Sequence, residues 1–131
     1  MKDIRNTKQR EEVLNAVKTL CNHPRAEDVY NCVIENNPNI SKGTVYRNLN
    51  LLSELYEISK IQMPGNESDR FDIRVDEHDH AYCRVCKKLI DIDADNSFKS
   101  NRQLEESGFR VEKSQLILTG ICKDCLDKEK E

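Results

Sequence analysis

Two cysteine pairs, Cys83-Arg84-Val85-Cys86 and Cys122-Lys123-Asp124-Cys125, constrain this chain more than any other feature. In each pair the two-residue gap lets a tight turn aim both thiolates at one ion. Two such turns complete the tetrahedral set of soft ligands that a structural Zn(II) takes. One CxxC alone is compatible with a redox motif, whereas two separated by 35 residues point to a metal. A pair of disulfides is the alternative, and disulfides belong to oxidising compartments. Four thiolates leave zinc no open coordination position, so such an ion holds a fold together and catalyses nothing.

A chain of 131 residues makes one ordinary domain or two small ones. Small domains bury too little surface to be stable unaided, which gives a metal staple a physical reason. The opening Met1-Lys2-Asp3-Ile4-Arg5 lacks the apolar stretch of a signal peptide, and no run approaches membrane-spanning length. With six cysteines, that predicts a reducing cytoplasm and no membrane partner. Cys21 and Cys32 fall on apolar helical positions and read as small core residues. The net charge of −3 argues against nucleic acid, but its distribution does not. Residues 1–60 carry nine Lys/Arg against eight Asp/Glu, and residues 61–131 carry twelve against sixteen. Lys2, Arg5, Lys8 and Arg10 bunch at the start, and Lys42 and Arg47 share a later helix. Local charge sets phosphate attraction, not the total.

The first half reads as helices. Val13, Leu14, Val17, Leu20 and Cys21 recur at helical spacing behind Thr7, an N-cap candidate. Pro24 opens a second stretch with Ala26, Val29, Tyr30 and Val33 on one face, ending near Pro38. A third begins at Ser41 and runs through Val45, Leu49, Leu52 and Leu55. Ile58–Met63 and Arg70–Val75 are predicted strands around Pro64-Gly65-Asn66. Three helices and a β-hairpin describe a winged helix-turn-helix. In the second half, Lys88–Ile92 alternates like a strand, and Phe98–Ser107 reads as a short helix closed by Gly108. Phe109–Val111 and Gln115–Thr119 are predicted strands, and Lys123–Glu131 a frayed charged tail. The expected fold is α+β: a winged helix followed by a small α/β domain stapled by zinc.

The helix starting near Ser41 sets Val45 and Leu49 inward and leaves Ser41, Lys42, Thr44, Tyr46, Arg47 and Asn48 to face a duplex. Its free N–H groups suit phosphate oxygens. Arg47 fits a bidentate contact to guanine, and Lys42 fits a phosphate. An ordinary amphipathic helix with a solvated polar face explains the same segment equally well.

Several independent motifs then coincide. Thr7-Lys8-Gln9-Arg10, His23-Pro24 with Ala26-Glu27-Asp28-Val29-Tyr30, Thr44-Val45-Tyr46-Arg47-Asn48-Leu49 and the paired CxxC motifs occur in an order that resembles the ferric uptake regulator superfamily, over about residues 5–126. The resemblance implies a DNA-binding domain over 1–76 and a dimerisation and metal-binding domain over 77–131. It also implies a homodimer that binds a double-stranded DNA operator as a metal-responsive repressor, with Lys8 and Arg10 supporting backbone contacts. Arg25 departs from the pattern, which usually has Ser or Thr capping the second helix.

The chain has three histidines, His23, His78 and His80. A pair at i, i+2 projects to one side of an extended segment, and Asp72 and Asp91 lie near the adjoining strands. Such nitrogen and oxygen donors suit Fe(II), Mn(II) or Zn(II). Spacing alone favours reading His23 as a capping or surface residue and His78-Asp79-His80 as a solvated loop. The resemblance implies instead that His23, Asp72, His78, His80 and Asp91 form one regulatory site for Fe(II) or Mn(II). Its two aspartates resemble the peroxide-sensing branch, where iron oxidises a histidine ligand such as His23 or His78. An iron- or zinc-responsive regulator of metal uptake is the alternative. An enzyme is not expected, since the four-cysteine site is closed and no His-Glu-x-x-His arrangement supplies a base beside a metal.

Overall fold

The computed structural model describes residues 4–76, 78–92, 102–110 and 115–130. The chain divides into two compact units, Met1–Asp76 and Glu77–Glu131.

The first unit contains α1 (Ile4–Leu20), α2 (Ala26–Val33), α3 (Lys42–Glu54), β1 (Ser59–Ile61) and β2 (Arg70–Asp72). Val13, Ala16 and Val17 of α1 meet Val29 and Val33 of α2 and Val45, Leu49 and Leu52 of α3, with Ile40, Ile58 and Phe71 closing the cluster. Each of the Val, Leu, Ile and Phe side chains contributes about 1.5–3 kcal/mol when fully buried, so these periodic positions hold the three helices together. The strands pair antiparallel with Lys60 opposite Phe71. This is the winged helix-turn-helix expected from the residues.

Several details differ from expectation. The α1 helix runs from Ile4, so Thr7 is inside it and caps nothing. Pro24 precedes α2 rather than opening it: its carbonyl accepts the Phe71 N–H at 2.9 Å, and Arg25 bridges to Arg70. Strand pairing outcompetes helix there because the Pro24–Arg25 backbone finds an open edge of β2. Cys21 lies past the end of α1, exposed and at φ 59°, so helical periodicity did not carry it into the core. Leu55 likewise follows α3 and is half-exposed. The missing Ser/Thr cap of α2 is offset by Asp28, whose carboxylate accepts the Arg25 N–H at 3.0 Å and also binds the guanidinium. A carboxylate three residues into a helix can serve this donor whatever side chain sits at the cap.

The second unit contains β3 (Asp79–Cys83), β4 (Leu89–Ile92), α4 (Arg102–Glu106), β5 (Ile117–Gly120) and α5 (Lys123–Glu129). Its sheet has the order β4-β3-β5, with β4 antiparallel and β5 parallel to β3. Gly108 has φ 95°, the left-handed cap expected at the end of α4. The Phe109 N–H then bonds the Leu104 carbonyl at 3.2 Å. That bond consumes a donor a strand would need, and Phe109 and Arg110 belong to no strand; Val111 and residues 98–101 of the expected helix lie outside the described residues. The expected frayed tail is α5, anchored by buried Cys125.

Candidate metal centres and nucleic-acid face

Parallel pairing of β3 with β5 places Cys83 opposite Gly120, two residues before Cys122. Cys86 sits in the β3–β4 turn, where Lys87 at φ 67° reverses the chain. Cys122 is the N-cap of α5, and Cys125 lies in its first turn. The four sulfurs therefore converge, all within 4.8 Å of one another. Cys83 Sγ and Cys125 Sγ are 3.8 Å apart, as are those of Cys86 and Cys122. Zinc–sulfur bonds of about 2.3 Å at tetrahedral angles give an edge of about 3.8 Å, whereas a disulfide requires about 2.05 Å. All six cysteines are free, so the geometry is a metal cage and the disulfide alternative fails.

Electrostatics within the cage point the same way. The N–H groups of Cys122 and Cys86 aim at Cys83 Sγ, at 3.4 and 3.5 Å, and lower its pKa to about 6. Burial, with the neighbouring thiols, raises Cys125 to about 12. Four sulfurs this close cannot all hold negative charge without a cation among them.

The five histidine and aspartate candidates belong to different units. In the first, pairing of the Pro24 segment with β2 sets His23 beside Asp72. His23 Nε2 lies 3.3 Å from Asp72 Oδ2, and both residues are buried. His23 adopts φ 56°, a left-handed conformation that histidine tolerates better than most. Asp72 Oδ1 accepts the Arg74 N–H at 3.0 Å, which fixes the carboxylate. In the second unit, β-pairing places His80 directly opposite Asp91. Asp91 Oδ1 lies 3.0 Å from His78 Nε2 and 3.1 Å from His80 Nε2, and the two rings are 4.5 Å apart. Ligand atoms about 2.1 Å from one ion stand roughly 3.0–3.4 Å apart at octahedral or tetrahedral angles. Each group matches that spacing, and its nitrogen and oxygen donors suit a harder ion than the cysteine cage does.

On α3, Ser41 is the exposed helix cap, its hydroxyl oxygen accepting the Thr44 N–H at 3.1 Å. Thr44 Oγ1 lies 2.8 Å from Ser41 Oγ and accepts Arg47 Nη2 at 3.1 Å. This chain folds the Arg47 guanidinium along the first turn of the helix. Tyr46, Arg47 and Asn50 are exposed, as is Lys42, whose Nζ lies 3.7 Å from Glu27 Oε1 and over the Tyr30 ring. Lys8 is exposed and Arg10 half-buried on α1. Sequence reasoning missed the far side of this face: Tyr46 and Asn50 share a cleft of about 350 Å³ with Lys60 and Asp69 of the hairpin. Its sequence signal is a basic residue, Lys60, within the predicted strand Ile58–Met63.

Comparison with known proteins agrees with this architecture. A model of the ferric uptake regulator family matches residues 1–119. The chain is 32% identical to a peroxide operon regulator of Bacillus subtilis, covering 96% of this chain and 87% of that protein. It is 30% identical to a peroxide-responsive repressor, PerR, of Staphylococcus aureus, covering 95% and 84%. Among solved structures, a Campylobacter jejuni peroxide stress regulator superposes with a TM-score of 0.71 at 28% identity, over 93% and 92% of the two chains.

Proposed function

Because this chain belongs to the ferric uptake regulator family, we propose that it is a cytoplasmic, homodimeric, metal-dependent repressor that binds double-stranded operator DNA and senses peroxide. The observation that carries the metal-sensing part is the convergence of His78 and His80 on one oxygen of Asp91, at 3.0 and 3.1 Å. It leaves a nitrogen–oxygen seat distinct from the four-cysteine cage. In this reading His23 and Asp72 complete the seat from the other unit, so one Fe(II) or Mn(II) ties residues 1–76 to residues 77–131. Cys83, Cys86, Cys122 and Cys125 hold the structural Zn(II) and take no part in sensing.

The residues divide the work. Tyr46 and Arg47 read base edges, Thr44 aims the guanidinium, and Lys8, Arg10, Ser41 and Lys42 supply phosphate contacts. The second copy packs on the sheet of residues 77–131. Ala81, Ile90 and Leu118 lie in one row across its three strands, and Ile90 and Leu118 are 40% and 51% exposed. A ligand set shared by two units selects one arrangement of them, and in a twofold dimer that arrangement fixes the distance between recognition helices. Fe(II), when bound, supplies one-electron reduction of peroxide, chemistry that Mn(II) does not readily supply. His23 or His78 is the imidazole that would gain one oxygen atom from peroxide, the other leaving as water, and the loss of that ligand would release DNA.

Operator binding with Fe(II) or Mn(II), each before and after brief peroxide, tests this. Iron-loaded protein should lose DNA and gain one oxygen on a peptide containing His23 or His78, while manganese-loaded protein keeps both. Equal release with manganese, or oxidation confined to the zinc cysteines, would leave a plain iron- or zinc-responsive regulator as the better description.

A further inference from the structure

We propose that Glu27 and Asp69 are built-in counter-charges on the DNA face, which hold down sequence-independent attraction to DNA and thereby make operator binding depend on metal. The inference rests on the DNA-binding role proposed above and concerns how that role is kept conditional. Glu27 Oε1 stands 3.7 Å from Lys42 Nζ, and Asp69 Oδ2 stands 3.6 Å from Lys60 Nζ. Glu27, Lys60 and Asp69 line the same cleft as Tyr46 and Asn50 of α3. Lys60 in the cleft and Lys42 beside it on α3 thus each have a carboxylate next to them, Asp69 on the hairpin and Glu27 on α2. The nearby Arg25 is likewise paired, with Asp28 at 3.2 Å.

The Lys42–Glu27 pair is exposed and the Lys60–Asp69 pair half-exposed, so both add little to stability. Their weight falls on the complex. Non-specific DNA binding is almost wholly phosphate neutralisation with release of counterions. A carboxylate held within 4 Å of a lysine already acts as that lysine's counterion, so a phosphate arriving there releases less salt. With this attraction weakened, one winged helix gains little from DNA alone. Binding then requires two recognition helices at the correct spacing together, which is what the regulatory metal controls. An overall charge of −3 on a DNA-binding chain is consistent with this arrangement.

The test compares wild type, Glu27→Gln with Asp69→Asn, and Glu129→Gln as a charge control on exposed α5. Fluorescence anisotropy on operator and scrambled duplexes, titrated with KCl, is read with and without Mn(II); thermal melting verifies folding. The double variant should bind scrambled duplex about tenfold more tightly at moderate salt, with a log–log salt slope steeper by about one to two. It should also bind operator without metal, and the Glu129→Gln protein should match wild type. Lys42→Gln provides a second reading: it should flatten the slope in both backgrounds, but by more, up to about one, in the Glu27→Gln background, where no carboxylate already offsets the lysine. A double variant indistinguishable from the control, or a Lys42→Gln effect equal in both backgrounds, overturns the counter-charge role. Wild type that binds no operator under any metal would instead overturn the DNA-binding reading beneath it.

Discussion

At the scale of single residues, the cysteine cage is the best-determined chemistry in the molecule. Cys83 and Cys125 sit 3.8 Å apart with their proton affinities driven in opposite directions, by backbone N–H groups in one case and burial in the other. Filling the cage must displace protons, so zinc uptake at neutral pH should release them, measurable by calorimetry in buffers of different ionisation enthalpy. The sign for Cys83 is clear: its folded pKa is lowered from 9.0 to about 6. Its thiolate therefore favours the fold above the ordinary thiol range, and that contribution is lost as pH falls through about 6. Zinc affinity should weaken as pH falls, because protons compete with the ion for the same thiolates. Cys122→Ser should lose zinc and melt the second unit at lower temperature, because binding energy at such sites is folding energy. A variant that keeps full zinc content and melting behaviour would refute the assignment.

At the scale of elements, α3, the proposed recognition helix, depends on its first turn. Ser41 caps α3 and also contacts Thr44 Oγ1, which in turn holds Arg47. Ser41→Ala should cost about 1 kcal/mol of stability through the lost cap, measured by denaturant unfolding. It should also loosen the guanidinium and weaken discrimination against mutated operators. A Ser41→Ala protein with lower stability but unchanged discrimination would show that the hydroxyl chain caps without aiming. The α2 helix reached the same end differently: Asp28 receives the Arg25 N–H that a serine or threonine cap would not have served. Substituting Asp28, rather than Arg25, is what would fray that helix.

At the scale of the whole molecule, His23 is the test of coupling. It is the histidine carried by residues 1–76, buried beside Asp72 at 3.3 Å. In the proposed mechanism, His23→Ala should keep zinc and the dimer yet lose metal-dependent operator binding. Gel-filtration mass, zinc content and anisotropy with Mn(II) read the three properties separately. Retained metal dependence would remove His23 from the regulatory site, and loss of the dimer would make it structural.

Chemistry written into short spacing was the most legible part of the sequence. Two CxxC pairs required a tetrahedral cage, and apolar residues at helical spacing, with a turn signal between two short strands, located three helices and a hairpin, because tight turns and periodic burial depend on neighbours a few residues away. The same local logic failed at Thr7, inside α1 rather than capping it, and at Cys21, which periodicity sent to the core although α1 had already ended. It failed again at residues 123–129, a helix that composition alone read as a frayed tail. In that segment a buried thiol outweighs a run of charges, a fact visible only once parallel pairing of β3 and β5 brings Cys83 near Cys122. Long-range pairing also decided which carboxylates stand by which cations. Glu27 and Lys42 are fifteen residues apart in sequence, and only the packing of α2 on α3 brings their charges within 3.7 Å.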